Sequence, residues 1–222
     1  MISFASLQEV AIRNKGSLAE LEAEMPKVNS PAQLARVSDD RYLSEMARSI
    51  FRAGFSWRVV DNKWPNFEKA FSGFNPLGVA HFSDEKLEEL LTDASIVRHG
   101  KKIKAVRDNA IYICDVQKRH ESFARFIADW PTDNMVGLWL ELKKKGSRLG
   151  GNSGPMSLRL MGKDTFLLSA DVQAALLNHK LLSSLSTTSK RDLASVQAVF
   201  NRFHDESGLP LSHISRTLAF TV

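Results

Sequence analysis

Cysteine is almost missing from this sequence. Cys114 stands alone, so no intramolecular disulfide framework can form and no cysteine pair is available for a structural zinc site. Long apolar runs are missing too. None approaches the roughly 18 residues that cross a bilayer, and the N-terminal MISFASLQEVAIRNKG has no basic segment leading into a signal-type apolar core. Both absences point to a soluble protein of a reducing compartment, cytosolic or nuclear, with no membrane partner. A strong charge of one sign is lacking as well. Thirty Lys and Arg against 25 Asp and Glu leave a formal charge of +5, which permits a polyanionic partner without requiring one. What the chain does have is 43% hydrophobic residues over 222 positions, enough to bury the core of one large domain or of two lobes.

The apolar residues recur at helical rather than alternating intervals. Leu43, Met46, Ala47, Ile50 and Phe51 share one helical face, and so do Ile103, Val106, Ala110 and Ile113. Further stripes are Leu87, Leu90 and Leu91; Phe123, Phe126, Ile127 and Trp130; and Val196, Val199, Phe200 and Phe203. Breakers fall between them: Pro26 and Pro31 separate an N-terminal helix over about residues 3 to 24, and Pro65, Pro76, Pro131 and Gly146 mark later joints. Ser83 and the Thr187 to Ser189 stretch resemble polar helix starts. The reading is an all-α protein of about ten helices, without repeats or low-complexity tails. Its expected divisions are an N-terminal helical extension over 1–30 and a main domain over 31–222.

One segment combines features suited to phosphate. VGLWLELKKKG predicts a helix, SRLGGNSG a glycine hairpin at about 146–155, and PMSLRLMG a second helix with Pro155 in its first turn. A helix N-terminus behind a glycine turn offers unpaired N–H groups to an anion. Lys143, Lys144, Lys145 and Arg148 supply flanking cations, although lysine runs more often simply face water. After the connecting KDTFLLS comes Asp171, at the start of the helix DVQAALLNHKLL, where an aspartate commonly serves as a cap. His81, His120, His179, His204 and His213 show no metal-ligand spacing, so neither metal nor cofactor is expected.

In the same order along the chain, AGFSW at 53–57, NFEKAFSGFNPLGVA at 66–80 and SIVRHGKKIKAVRDNA at 95–110 resemble consecutive blocks of the DNA-3-methyladenine glycosylase I family. That family lies within the helix-hairpin-helix DNA glycosylase superfamily. LGGNSG followed by Asp171 resembles the hairpin and catalytic aspartate of the wider superfamily. The resemblance covers about residues 40 to 180 and implies two helical lobes with a cleft between them.

The chain departs from the family at several points. Its one cysteine cannot supply the family's usual zinc site, which makes it resemble a divergent, zinc-lacking member. Ser49 stands where a glutamate of the lesion pocket is usual, and the N-terminal histidine and tryptophan motif is absent. Asn152 and Ser153 replace the commoner aliphatic residue and second glycine of the hairpin. Pro155 occupies the position where strand-cleaving relatives carry a lysine nucleophile, and it has no amine for a Schiff base.

The resemblance implies a monofunctional DNA glycosylase acting on alkylated purines such as 3-methyladenine in base-excision repair. Its partner would be double-stranded DNA with a damaged base, and the protein would be a monomer, associated with the nucleoid if bacterial. Trp57 matches the family's stacking tryptophan, with a core aromatic as its alternative role, while Phe55 is expected in the core. Glu45 and Ser49 are candidates to line the base pocket, Glu45 also suiting a structural ion pair. Asp171 is the candidate catalytic residue. Lys145, Arg148, Gly150, Gly151, Asn152, Ser153 and Gly154 are candidates for the DNA backbone. Arg98 and His99 match a family block at an expected helix start, with surface contact or interhelical packing as their alternative, while Lys101, Lys102 and Lys104 could add phosphate contacts, a solvated face being their default. The alternative is a noncatalytic lesion- or structure-binding protein of the same fold; a helical interaction protein with a basic surface ranks third.

Overall fold

The computed structural model describes residues 2–222, and their regular elements are all helices. Fourteen α-helices follow one another: α1 (Phe4–Lys15), α2 (Leu18–Ala23), α3 (Pro31–Ala35), α4 (Asp39–Arg52), α5 (Trp57–Ala70), α6 (Pro76–Ala80), α7 (Asp84–Thr92), α8 (Gly100–Gln117), α9 (Phe123–Asp129), α10 (Met135–Lys145), α11 (Ser153–Leu160), α12 (Ala170–Asn178), α13 (Lys190–Ser207) and α14 (Leu211–Ala219). The excess over the expected ten comes from short helices that periodicity cannot resolve. The single N-terminal helix expected over 3–24 is two, because Gly16 adopts φ +107° and Ser17 caps a new start. Pro65 does not mark a joint: it lies inside α5, where buried Val60, Trp64 and Phe67 carry one apolar face through it.

The chain divides into two compact units, each assembled from separate stretches. The first contains residues 1–29, 131–138 and 162–222; the second contains 30–130 and 139–161.

In the second unit α4 is central and packs on α8 and α11. Its stripe of Leu43, Met46, Ala47, Ile50 and Phe51 is fully buried, as is the Ile103, Val106, Ala110 and Ile113 stripe of α8. Beyond α4, the rings of Trp64, Phe67, Phe71 and Phe74 stack in sequence, with Trp64 and Phe74 6° from parallel. Polar groups that enter this core are paired: Ser44 Oγ accepts from Trp64 Nε1 and donates to Glu68, which also takes a two-pronged bond from Arg41. Asp39, at the start of α4, accepts from the backbone N–H groups of Phe123 and Ala124 and from Gln117. That carboxylate supplies partners for first-turn donors of α9 that the helix cannot pair internally.

In the first unit, Phe166 and Phe200 stack at 4.1 Å and Phe4 lies against Phe203. Residues 163–169 run without helix, yet Thr165, Phe166, Leu167 and Leu168 are buried. Buried irregular backbone needs partners. Ser215 supplies them, accepting from Leu167 N–H and donating to its carbonyl, while Asp164 accepts from Leu211 N–H and Ser212 N–H at the start of α14. The segment is thereby fixed up to the first turn of α12.

Candidate functional site

Three of the candidates, Glu45, Ser49 and Trp57, lie around the end of α4, the turn Ala53–Ser56 and the start of α5. Ser49 is buried and its hydroxyl donates to Glu45 Oε1, one helical turn earlier, at 3.3 Å. Burial raises the Glu45 carboxyl above the ordinary glutamate range, against the opposing pull of Arg52, Arg48 and Ser49. Glu45 also lies 3.9 Å from Arg52, so its expected ion pair is loose, while the hydrogen bond to Ser49 adds a polar link. Arg52 and Arg48 both donate to Asp61, whose carboxyl is held below the usual range by the Arg52 hydrogen bond first.

Gly54 at φ +79° turns the chain between the helices. Trp57 opens α5 and is 47% exposed, which argues against the core-aromatic alternative. Phe55 corrects the sequence expectation: it is 39% exposed rather than core, because the turn at Gly54 carries it outward.

Lys102 is a second correction. It neither faces water nor offers a phosphate contact, being 3% exposed. Its ammonium donates to the carbonyls of Phe51 at 3.1 Å and Ala53 at 2.5 Å and lies 4.5 Å from the centre of the Phe55 ring. A cation is favourable against the carbonyl-rich end of α4. Burial, with a contribution from Arg148, holds this amine below the usual lysine range. Lys101 and Lys104 are exposed, with Lys104 paired to Asp108. Arg98 is exposed, and His99 is the extended residue preceding α8, its ring edge-on to Phe55.

The hairpin belongs to the same unit. α10 ends at Lys145, with Lys143, Lys144 and Lys145 exposed, and α11 opens at Ser153, two residues before Pro155. Two glycines are required by the geometry. Gly151 has φ +58°, and a Cβ on Gly154 would lie 2.5 Å from the Leu149 carbonyl oxygen. Leu149 is buried, whereas Arg148, Gly151 and Asn152 are exposed. Asn109 of α8, fully buried, clamps the turn by donating to Ser147 O and accepting from Ser147 N–H. Sequence reasoning missed this residue, although its place on the buried face of α8 was available. Ile50, Ala53, Arg148, Gly150 and Ser153 line a surface cleft of about 320 Å³.

Asp171 belongs to the first unit. It sits exposed in the first turn of α12 and is not the cap: Ser169 fills that place, accepting from Val172 N–H at 3.2 Å. The capping explanation therefore falls away, and the carboxylate is open to solvent. Among the described residues, no group of three or more His, Cys, Asp and Glu side chains is arranged to hold a metal ion. No helix among them is long and apolar enough to cross a membrane.

Solved structures of similar architecture define the class. The chain resembles a crystal structure of 3-methyladenine DNA glycosylase I at TM-score 0.52 and 23% identity, covering 65% of this chain and 86% of that one. It also resembles the 3-methyladenine DNA glycosylase I of Staphylococcus aureus, at TM-score 0.51 and 25% identity over 60% of this chain and 81% of that one. The fold is the all-α helix-hairpin-helix glycosylase fold. The family model described as methyladenine glycosylase matches residues 34–149, more than half of the sequence, and the chain belongs to that family. Two curated relatives match over a shorter span. DNA-3-methyladenine glycosylase 1 of Escherichia coli (strain K12) is 37% identical over 76 residues, and DNA-3-methyladenine glycosylase of Haemophilus influenzae (strain ATCC 51907 / DSM 11121 / KW20 / Rd) is 29% identical over 76. Each match spans 34% of this chain and 41% of the relative.

Proposed function

We propose that this protein is a monofunctional DNA glycosylase that hydrolyses the N-glycosidic bond of alkylated purines, 3-methyladenine-like, in base-excision repair. The observation that carries the reading is Trp57: a half-exposed indole on the first turn of α5, in the unit that also holds the glycine hairpin and the Glu45–Ser49 pair. Tryptophan left this open beside polar groups suits a stacking platform for an extruded base. A duplex hides the glycosidic bond, so the damaged nucleotide must leave the stack before reaction.

In this proposal the hairpin of Gly150, Gly151, Asn152, Ser153 and Gly154, with Lys145 and Arg148, grips the backbone without reading sequence. The purine stacks on Trp57, with Glu45 and Ser49 facing its polar edge. As the bond between C1′ and the purine nitrogen breaks, the electron pair leaves with the base and positive charge builds on the sugar. Asp171 stabilises that charge and orients the water whose oxygen bonds to C1′, accepting its proton. Pro155 offers no amine, which supports hydrolysis without strand cleavage. The protein works as a monomer in the cytoplasm, at the nucleoid in a bacterial cell.

A second reading, a noncatalytic lesion- or structure-binding protein of the same fold, is favoured by Ser49 standing where the family carries a pocket glutamate. The deciding experiment compares wild type and Asp171→Asn on duplexes carrying methylated purines, scoring base release and DNA affinity separately. Release by wild type, lost in the variant with affinity retained, supports the enzyme. Binding by both with no release from a broad lesion panel transfers the conclusion to the binding protein.

A further inference from the structure

The N-terminal residues 1–29 precede the family match, which begins at residue 34, yet they belong to the compact unit that carries Asp171. α1 packs on α13 and α14, with Leu7 and Ala11 fully buried and Phe4 N–H donating to Glu206 at 2.9 Å. The stretch after α2 adds further ties. Glu24 accepts from Lys15 and from Arg216 of α14, each at 2.8 Å. His213 of α14 donates from Nε2 to the Pro26 carbonyl at 3.0 Å. Asn29 N–H donates to the Gly162 carbonyl at 2.9 Å.

These ties converge on one stretch of backbone. Gly162 precedes the irregular segment 163–169, which delivers Asp171 on the first turn of α12. Farther along, that segment is held by α14, through Asp164 with Leu211 and Ser212 N–H and through Ser215 with Leu167. Residues 24–29 thus hold α14 at one end and the entry to the segment at the other. Gly162 adopts φ +87°, and a Cβ added there would collide with the Asn29 side-chain amide, so the close approach of the two depends on glycine. Buried backbone outside a helix takes its position from such single bonds. A displacement of roughly 1 Å at a reacting group costs on the order of a hundredfold in rate.

We propose that Asn29, seated against Gly162 and backed by the Glu24–Arg216 pair, is a positioning residue for Asp171. The N-terminal segment then serves the reaction without touching substrate. The inference rests on the catalytic role proposed for Asp171.

The test uses the full-length protein. It measures single-turnover release of base from a duplex carrying methylated purines, DNA affinity, and native-state amide exchange at Leu167 and Val172. Gly162→Ala is expected to slow release by about tenfold to a hundredfold. DNA affinity is expected to stay within about twofold of wild type, because the hairpin and its cations belong to the other unit. Adding Asn29→Gly to Gly162→Ala relieves the collision and is expected to recover about threefold or more of the lost rate. Glu24→Gln, on a pair 37% and 40% exposed, is expected to slow release by about twofold to threefold and to speed exchange at Leu167 and Val172. Release and affinity that fall together, or no recovery on adding Asn29→Gly, overturn the inference and leave the segment a packing role. If Gly162→Ala does not fold, Glu24→Gln decides, and wild-type release or wild-type exchange in that variant overturns the inference. Wild-type protein that releases no base, or Asp171→Asn that releases it at the wild-type rate, overturns the catalytic reading of Asp171 itself, and the inference with it.

Discussion

Replacing Lys102 with methionine keeps an unbranched apolar stem and removes the terminal ammonium, with its charge and donors. In the native structure that ammonium serves the carbonyls of Phe51 and Ala53 and faces the Phe55 ring. Two charge-assisted hydrogen bonds at the carbonyl end of a helix are worth roughly 3 to 6 kcal/mol before the desolvation of the amine is set against them. The net loss expected for Lys102→Met is therefore about 2–4 kcal/mol. For a chain of this size it appears as a fall in Tm of roughly 5–12 °C. The same variant separates a buried fastener from a phosphate-binding cation. A buried amine releases no counterion, so the slope of log affinity against log salt for duplex DNA stays at the wild-type value. Glutamine at Lys143, Lys144, Lys145 and Arg148 is instead expected to flatten that slope by about 0.9 for each phosphate that is no longer neutralised. Urea unfolding and salt-dependent binding check the two halves. A stability loss below about 0.5 kcal/mol, the range of an unremarkable surface change, or a flattened slope in Lys102→Met, refutes the assignment.

Removing the Asp39 carboxylate by Asp39→Ala leaves two first-turn donors of α9 without their partner, and a loss of about 2–3 kcal/mol is expected in urea unfolding. Ser169→Ala is expected to cost about 1 kcal/mol as a lost cap, while Asp171→Asn, exposed and not capping, shifts stability by less than about 0.5 kcal/mol; the reverse ranking in thermal melts contradicts the cap assignment. Glu45 gives a pH signature. Because burial raises its folded pKa, its contribution to stability is full below the ordinary glutamate value of about 4.3 and is lost as pH rises through the raised value. Glutamine does not titrate, so the Tm of Glu45→Gln relative to wild type is expected to climb with pH across that window, and a difference that is flat or falls with pH refutes the direction.

The helical class and its buried faces were legible because apolar spacing reports directly on what a helix hides. The α4 and α8 stripes are core residue by residue, and Ser83 and Ser189 cap α7 and α13. The hairpin was legible because Gly151 and Gly154 meet demands of geometry that few other residues satisfy. Phe55 and Arg52 were not: their placement depends on the turn at Gly54, and a pair such as Arg52 and Trp57, five residues apart across that turn, has no periodicity to betray it. Ser169 and Asp171 are both good caps two residues apart, and only the backbone decides that Ser169 takes the place.

Lys102 is different, because the signal was present and outweighed. Positions 102, 106, 109 and 113 follow one another at intervals of four, three and four, which puts Lys102 and Asn109 on the same face of α8 as Val106 and Ile113. Residue type argued for solvent and helical phase argued for burial, and phase wins when an amine can pair with helix-terminal carbonyls inside. Both polar residues on that face are then fasteners: Lys102 holds the turn leading to Trp57, and Asn109 holds the turn at Ser147 that opens the hairpin. One helix thus secures two of the loops on which the proposed site depends. A substitution at Lys102 should therefore disturb base binding and one at Asn109 the backbone grip, whereas one at exposed Lys101 disturbs neither through the fold.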